Sequence, residues 1–157
     1  MFIAVAIMSV LLLVSFAVVE ITLKGSLFAT SGRDSQYAFY AADAGIECAL
    51  YWDTKFEPSK FATSTVGSPI QCGGSTISAG QAIAGTTTQS RIGGGGNGNP
   101  TSVFGFTLNQ GTNPVPHCVI VTVTKLANGS TYVKSRGYNT CVANNPKRVE
   151  RGVEVTY

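Results

Sequence analysis

The chain is poor in charge, in histidine and, over its first third, in proline. Charged residues make up 12% of the sequence, about half of the ~25% that is usual in soluble domains. This composition excludes a long disordered acidic or basic chain, and a net charge of +3 does not by itself predict nucleic-acid binding. The 157 residues correspond to about one domain, so the separate lobes of a multidomain enzyme are not expected.

Residues that carry catalysis or bind metal ions are also scarce. The only histidine is His117, and a lone histidine at a strand start is ordinarily a surface or core residue. The glycine run 93–96 lacks the following Gly-Lys-Ser/Thr of a phosphate-binding loop, so it predicts a flexible surface loop. Asp43 and Glu47, four residues apart, favour a solvated or subunit-contacting helix face over a catalytic carboxylate pair. We therefore expect no enzyme and no cofactor.

What the sequence does contain is an apolar block at its start. No charged residue and only two polar ones, Ser9 and Ser15, occur in residues 1–19. As a helix this block is about 28 Å long, close to the ~30 Å hydrocarbon core of a bilayer. A cleavable signal peptide is the alternative, but it has a basic n-region and a small-residue cleavage site. Because both are missing, we expect a membrane-spanning helix that is retained in the mature protein.

The helix is expected to continue beyond the apolar block, since no proline occurs before Pro58. Together the two halves give a helix on the order of 80 Å long. Gly25 and Gly32 each cost about 1 kcal/mol relative to alanine, so we expect bending or local melting there. The second half is predicted to be amphipathic, with an apolar stripe at Tyr37, Tyr40, Ala41, Ala44, Cys48 and Tyr51. Its aromatic residues are expected to form a core between helix and sheet; they are Tyr37, Phe39, Tyr40, Tyr51 and Trp52.

The rest of the chain divides by composition. Residues 54–116 are rich in serine, threonine and glycine and are predicted to be mostly loop, with short strand candidates such as 103–108. Residues 117–157 contain β-branched runs, an Asn128-Gly129 turn signal and a final alternating run over 149–157, which together predict an antiparallel meander. The expected fold is α+β, with an apolar helix over 1–30 and a head over 31–157, of which 31–53 is the amphipathic helix.

Four cysteines allow three pairings, and none of them forms a C-x-x-C motif, which favours disulfides over zinc. A hairpin centred on Asn128 and Gly129 places Cys118 and Cys141 nearly opposite each other. Cys48 is then left to pair with Cys72. Each bridge closes a loop of roughly 25 residues and should stabilise the head by about 3 kcal/mol. Disulfides also predict that the head folds in an oxidising compartment.

Residues 117–157 hold six basic and two acidic side chains. This basic head could contact DNA or an anionic surface, or dock on the acidic helix face of another subunit; we favour docking. The residues considered for subunit salt bridges or an anionic-ligand patch are Glu20, Lys24, Lys134, Arg136, Lys147, Arg148 and Arg151. Asn128 begins an Asn-Gly-Ser sequon and is a candidate for glycosylation.

In its order of segments the whole chain resembles type IV pilins and type II secretion pseudopilins. The stretch FYAADAGIE at 39–47 is similar to the alanine-acid-alanine-glycine helix segment of pilin-like proteins. The stretch SRGYN at 135–139, followed by the strand within 148–157, is similar to the tail of a pilin subgroup predicted in small-genome bacteria. The family usually carries a glutamate within the first two turns of the mature chain, where this sequence has Val5 and Ala6.

The resemblance implies a type IV pilin fold and a structural role in an extracellular filament at the cell surface. Such subunits wait in inner-membrane lipid, lose a basic leader to a prepilin peptidase, carry a methylated N-terminus, and are polymerised by an assembly machinery. The alternatives are a minor or tip pilin or pseudopilin with an adhesive or DNA-binding role, and a non-polymerising single-pass membrane-anchored surface domain. The expected filament-core residues are Met1, Phe2, Ile3, Ala4, Val5, Ala6, Ile7, Val10, Leu11, Leu12, Leu13, Val14, Phe16, Ala17, Val18 and Val19.

Overall fold

The computed structural model describes residues 2–109 and 116–157, so Met1 of the expected filament core lies outside the described residues. The fold is α+β. Its elements in chain order are α1 (Phe2–Thr54), β1 (Ile70–Cys72), β2 (Ser75–Ile77), β3 (Thr101–Leu108), β4 (His117–Lys125), β5 (Thr131–Tyr138) and β6 (Glu150–Thr156). The chain forms two compact units, Met1–Asp34 and Ser35–Tyr157, which are described separately below.

The first unit is the leading part of α1, and all its described side chains from Phe2 to Arg33 are exposed. The helix is continuous through Gly25 and Gly32, so the local melting expected there is absent from the structure. An added Cβ would meet nothing within 4 Å at either position. Because the helix is continuous on both sides of each glycine, helix propagation through the neighbouring residues offsets the glycine penalty of about 1 kcal/mol. Bending of α1 at Gly25 and Gly32 stays a prediction.

In the second unit, β3, β4, β5 and β6 form one antiparallel sheet in that order, and β1 pairs with β2 in a separate two-stranded ribbon. The sheet is thus larger than the meander predicted over 117–157. It begins at Thr101, because β3 pairs with β4 from Thr101 opposite Thr124 to Leu108 opposite His117. The strand candidate 103–108 is thus confirmed within the edge strand β3, and the segment predicted to be mostly loop also contributes the β1–β2 ribbon.

The β4–β5 hairpin differs by one residue from the predicted register. Its loop has three residues, 127–129: the Leu126 N–H donates to the Ser130 carbonyl oxygen at 2.8 Å, and Gly129 has a φ of 90°. A glycine in the left-handed region at the end of a three-residue loop is a common alternative to the two-residue turn. Side chains alternate between the two faces of a strand, so a register shift of one residue changes which side of β5 packs on the helix. In the observed register Val133 is buried and Lys134 is not.

Each face of the sheet carries a buried apolar cluster. On the inner face the core is formed by Phe104, Phe106, Val119, Val121, Val123 and Val133, together with residues from α1 and the connecting segments. On the outer face a second cluster is formed by Ile83, Cys118, Ile120 and Tyr138. Ile83 is supplied by the connection between β2 and β3, which is tied back by bridges from Ala82 to Gln89 and from Arg91 to Val103.

The buried face of α1 is made of small residues rather than aromatic ones. Its buried positions are Ala38, Ala41, Ala42, Gly45, Ile46, Ala49 and Asp53. The predicted aromatic core between helix and sheet is wrong for Phe39, Tyr40 and Tyr51, which are 49%, 65% and 52% exposed. The predicted apolar stripe lies to one side of the buried face of α1. Hydrophobic periodicity gives aromatic residues more weight than alanine, so Tyr40 and Tyr51 shifted the predicted position of the stripe.

Small residues are needed because α1 and β5 meet backbone to backbone. A Cβ at Gly137 of β5 would collide with the carbonyl oxygen of Ala38 and the backbone nitrogen of Ala42. A Cβ at Gly45 of the helix would collide with side-chain atoms of the sheet, Ser135 Oγ and a methyl group of Val119. Glycine at both positions therefore sets how closely the helix approaches the sheet.

We predict that Gly137→Ala destabilises the second unit by about 3 kcal/mol, because the new methyl group meets backbone atoms that cannot turn aside. Urea unfolding of the full chain in detergent, followed by the emission of Trp52, the only tryptophan, measures this. Gly152→Ala on the next strand is the matched control, because the nearest atom to its Cβ is the Ser135 carbonyl oxygen at 3.8 Å. It should stay within about 0.5 kcal/mol of the unsubstituted chain. Equal effects of the two substitutions would contradict the close approach.

Candidate functional site

The first unit presents a continuous apolar surface. Helix α1 is long and apolar enough to cross a membrane: its most apolar 18-residue window has a mean hydropathy of 2.9, and none of that window is buried. Phe2 is 94% exposed and Phe28 is 78% exposed. A helix that is apolar on all sides belongs in lipid or in a protein core, so this surface needs a partner that an isolated chain in water does not provide.

The few polar side chains on this surface are satisfied within the helix. The hydroxyls of Ser9, Ser15 and Thr22 donate to the carbonyl oxygens of Ala6, Leu11 and Val18, each at 2.8 Å. Hydroxyls bonded back to the preceding turn leave no free donor facing outwards. The surface is therefore compatible with lipid and with close helix packing, since neither can solvate an unpaired donor.

The first charges along α1 are Glu20 and Lys24, which form an exposed ion pair at 3.7 Å. An exposed pair of this kind contributes little to stability, at most about 1 kcal/mol. Both residues belong to α1 and are four positions apart, a spacing at which opposite charges on a helix pair with each other. The pair marks the position along α1 at which the uncharged segment ends.

The basic residues predicted as a patch occupy different surroundings. Lys134 pairs with Glu154 on the neighbouring strand at 2.6 Å, and hydrogen bonding to that carboxylate raises the pKa of Lys134. The guanidinium of Arg148 lies over the ring of Tyr138 at 3.8 Å. Arg151 donates from Nε to Ser35 Oγ at 2.9 Å, which explains why it breaks the apolar face of β6. These residues are distributed over both faces of the sheet.

The buried carboxylate of Asp53, at the end of α1, connects the helix to four other segments through hydrogen bonds. Asp53 accepts hydrogen bonds from Lys125 Nζ, 2.6 Å from Oδ1, and from the Tyr157 hydroxyl, 2.7 Å from Oδ2. Thr131 Oγ1 donates to the same Oδ2 at 3.3 Å, and the Ser59 hydroxyl donates to Oδ1. The network joins the helix end to β4, β5, the residue after β6 and the segment that follows α1.

Burial and the hydrogen bonds of this network shift the pKa values of Asp53 and Tyr157 in opposite directions. Burial acts to raise the pKa of Asp53, but the hydrogen bonds from Lys125, Ser59 and Tyr157 outweigh it and lower that pKa below its ordinary value. Burial, and then donation to the Asp53 carboxylate, raises the pKa of Tyr157. Asp53 was not among the site residues predicted from the sequence. The available signal was an acid in the last turn of a helix, where the macrodipole disfavours negative charge, with no basic residue in that turn.

The cysteines form the two expected bridges. Cys48 of α1 is joined to Cys72 of β1, and Cys118 of β4 is joined to Cys141, with Cα separations of 5.9 and 5.1 Å. Cys118 lies opposite Tyr138 in the sheet. Cys141 therefore reaches Cys118 from the segment after β5, rather than from a position directly across the hairpin.

Two further candidate residues, His117 and Asn128, have different surroundings in the second unit. His117 is buried, stacks on Tyr37 with ring centroids 4.7 Å apart, and has Nδ1 2.8 Å from the Asn139 carbonyl oxygen. Asn128 is exposed in the β4–β5 loop, where its side-chain oxygen accepts from the Ser130 N–H at 3.0 Å. Within residues 2–109 and 116–157, no group of three or more histidine, cysteine, aspartate or glutamate side chains is arranged to hold a metal ion.

Comparison of the chain with protein-family models, with curated proteins and with solved structures finds no match.

We predict that the Asp53 network makes stability depend on pH below about 4. A carboxyl with a lowered folded-state pKa contributes stability that is complete above its unfolded value, 3.8 here, and is lost as the pH falls through the folded-state value. Asp53→Asn should remove that acid-dependent loss and cost about 3 kcal/mol at pH 7, because Lys125 loses its charged partner. Unfolding of the full chain in detergent at a series of pH values measures both effects. Asp43→Asn, on the exposed side of the same helix, is the control and should change neither.

We also predict that each disulfide stabilises the second unit by about 3 kcal/mol, because the bridges close loops with sequence separations of 24 and 23 residues. The variants Cys48→Ala/Cys72→Ala and Cys118→Ala/Cys141→Ala should each lower the denaturation midpoint in urea by a similar amount. Reductant should lower the midpoint of the unsubstituted chain and leave that of a chain lacking both bridges unchanged. An unsubstituted chain with the same midpoint with and without reductant would contradict the prediction.

Proposed function

We propose that this protein is a structural subunit of an extracellular, type IV pilus-like filament and polymerises through its apolar helix. The observation that carries the proposal is the uninterrupted α1, which is apolar and exposed from Phe2 to Val19. The same helix continues into residues that pack on an antiparallel sheet. A disulfide joins this part of the helix to β1. The proposed role is structural, with a pilin-like fold and no catalytic step.

The energetics of the apolar surface support an assembly that covers it. Leaving a large apolar side chain in water costs about 1.5–3 kcal/mol relative to burying it, and most side chains from Phe2 to Val19 are of this kind. Lipid covers them before assembly and sister helices cover them afterwards. Because lipid tails are as apolar as leucine, the choice between the two depends on close packing. Ala4, Ala6, Ser9 and Ala17 are small enough to allow it.

The disulfides support the placement of the second unit outside the cytosol, because they persist in oxidising compartments. A subunit held in the inner membrane by its apolar helix would then release that helix during assembly at the cell surface. In this scheme a prepilin peptidase and a pilus assembly machinery are the proposed partners, and the mature filament is a homo-oligomer.

The proposal predicts that Val10→Lys weakens both membrane association and fibre formation. A lysine at the centre of a spanning helix costs about 3 kcal/mol in lipid, and in a helical core it also leaves an unpaired charge. Val10 is 58% exposed in the isolated chain, so the substitution leaves the folding of the second unit unchanged. Membrane flotation and electron microscopy after detergent removal measure the two effects.

Two controls accompany this experiment. Val10→Leu keeps the position apolar and should preserve both membrane association and fibres. Ser31→Lys adds the same charge on the exposed polar part of α1 and should also preserve them. If the unsubstituted chain gives only detergent-bound monomers under all conditions, the filament proposal is wrong and a non-polymerising membrane-anchored domain replaces it.

A further inference from the structure

The exposed side of α1 in the second unit carries an unusual combination of side chains. Tyr40, Asp43, Glu47 and Tyr51 lie along one stripe, opposite the alanine-rich face that packs on the sheet. We call these four residues the acidic stripe. Tyr40 and Tyr51 are 65% and 52% exposed, and Phe39 beside them is 49% exposed. Tyrosine and phenylalanine are enriched in the centres of protein interfaces.

The two carboxylates of the acidic stripe have no cation in their own chain. Asp43 and Glu47 are four residues apart, a spacing at which like charges destabilise a helix by a few tenths of a kcal/mol. No basic residue occurs between Ser35 and Thr54. Within residues 2–109 and 116–157, neither carboxylate forms an ion pair. The cost of this arrangement therefore has no compensation inside one molecule.

A complementary surface lies on the outer face of the sheet, around Tyr138. Arg136 shares that face of β5 with Tyr138, and the Arg148 guanidinium lies over the Tyr138 ring. Lys147 directly precedes Arg148 in the chain and is exposed, and its backbone carbonyl accepts a hydrogen bond from Asn139 Nδ2. We call Arg136, Lys147 and Arg148 the Tyr138 cluster. Glu150, which hydrogen-bonds to Tyr138, is the acid beside it, so cations outnumber carboxylates by three to one. Arg136 and Lys147 form no ion pair in the part of the chain that the structure describes.

The two surfaces cannot meet within one molecule. The acidic stripe is on the side of the helix that faces away from the sheet, whereas Arg136 and Arg148 of the Tyr138 cluster are on the side of the sheet that faces away from the helix. A contact between them requires a second copy. Such a contact joins different surfaces of two identical chains, so it leaves one stripe and one cluster free and repeats along an assembly.

We propose that the acidic stripe docks on the Tyr138 cluster of a second copy of this chain. The inference rests on the proposed filament function and names the contact between neighbouring second units. Asp43 and Glu47 supply the negative charges, Arg136 and Lys147 supply the cations, and the exposed tyrosines supply the apolar area. Charge complementarity of this kind fixes register and selects the partner.

The test compares charge reversals in fibres of the full chain at low salt. Glu47→Lys and Lys147→Glu should each raise the protein concentration needed for fibres by about tenfold. The double variant Glu47→Lys/Lys147→Glu should bring it back to within about threefold of the unsubstituted chain. Glu57→Lys is the matched control, because it makes the same charge change at an exposed position outside α1, and it should have less than a twofold effect. Each variant is first checked for unchanged Trp52 emission and for both disulfides.

A second measurement looks for the contact directly. A zero-length carbodiimide reagent should join Glu47 or Asp43 of one subunit to Lys147 of another in fibres, but not in detergent-solubilised monomers. If Glu47→Lys and Glu57→Lys have equal effects on a chain that does form fibres, the docking is wrong and the filament function stands. Duplex DNA binding by assembled fibres that Lys147→Glu abolishes would show that the cluster stays open to solvent, and it would also overturn the docking. If the unsubstituted chain forms no fibres, the filament proposal fails and the docking fails with it.

Discussion

The contact between the backbones of α1 and β5 is the constraint on which the second unit depends. Gly137 on the strand and Gly45 on the helix remove the side chains that would otherwise separate the two elements. Four alanines on the same helix face, Ala38, Ala41, Ala42 and Ala49, are buried with them. Because a helix this close to a sheet leaves no room for larger side chains, the aromatic residues of α1 must lie at its margins or on its exposed side.

The sequence predicted the kinds of elements better than their details. The length and continuity of α1 were predictable, because an apolar block followed by a proline-free amphipathic segment has one main interpretation. The buried side of the helix was not, since alanine carries a weak hydrophobic signal and the competing stripe contained Tyr40 and Tyr51. Residues 103–108 were recognisable as a strand candidate, but their pairing with β4 was not, because the connection between the two strands gives no local hairpin signal. The β4–β5 register was missed by one residue because Asn-Gly fits both two-residue and three-residue loops.

The candidate site shows the same division between local and long-range information. The apolar surface from Phe2 to Val19 follows directly from composition, because it involves one continuous segment. The Asp53 network does not, since its partners Lys125, Thr131 and Tyr157 lie 72 to 104 residues away in sequence. The Tyr138 cluster could be suspected from the basic C-terminal region. Its position on the face opposite the helix depends on a strand register that the sequence left open.

The positions of the two disulfides have a mechanical consequence. The bridges close separate segments, 48–72 and 118–141, so neither loop contains the other. Under tension applied between Ser35 and Tyr157, both loops are bypassed, and the chain within them cannot lengthen the molecule even after the sheet has come apart. A fibre built from such subunits would therefore yield only a limited extension for each domain that opens, which favours a stiff tether over an elastic one.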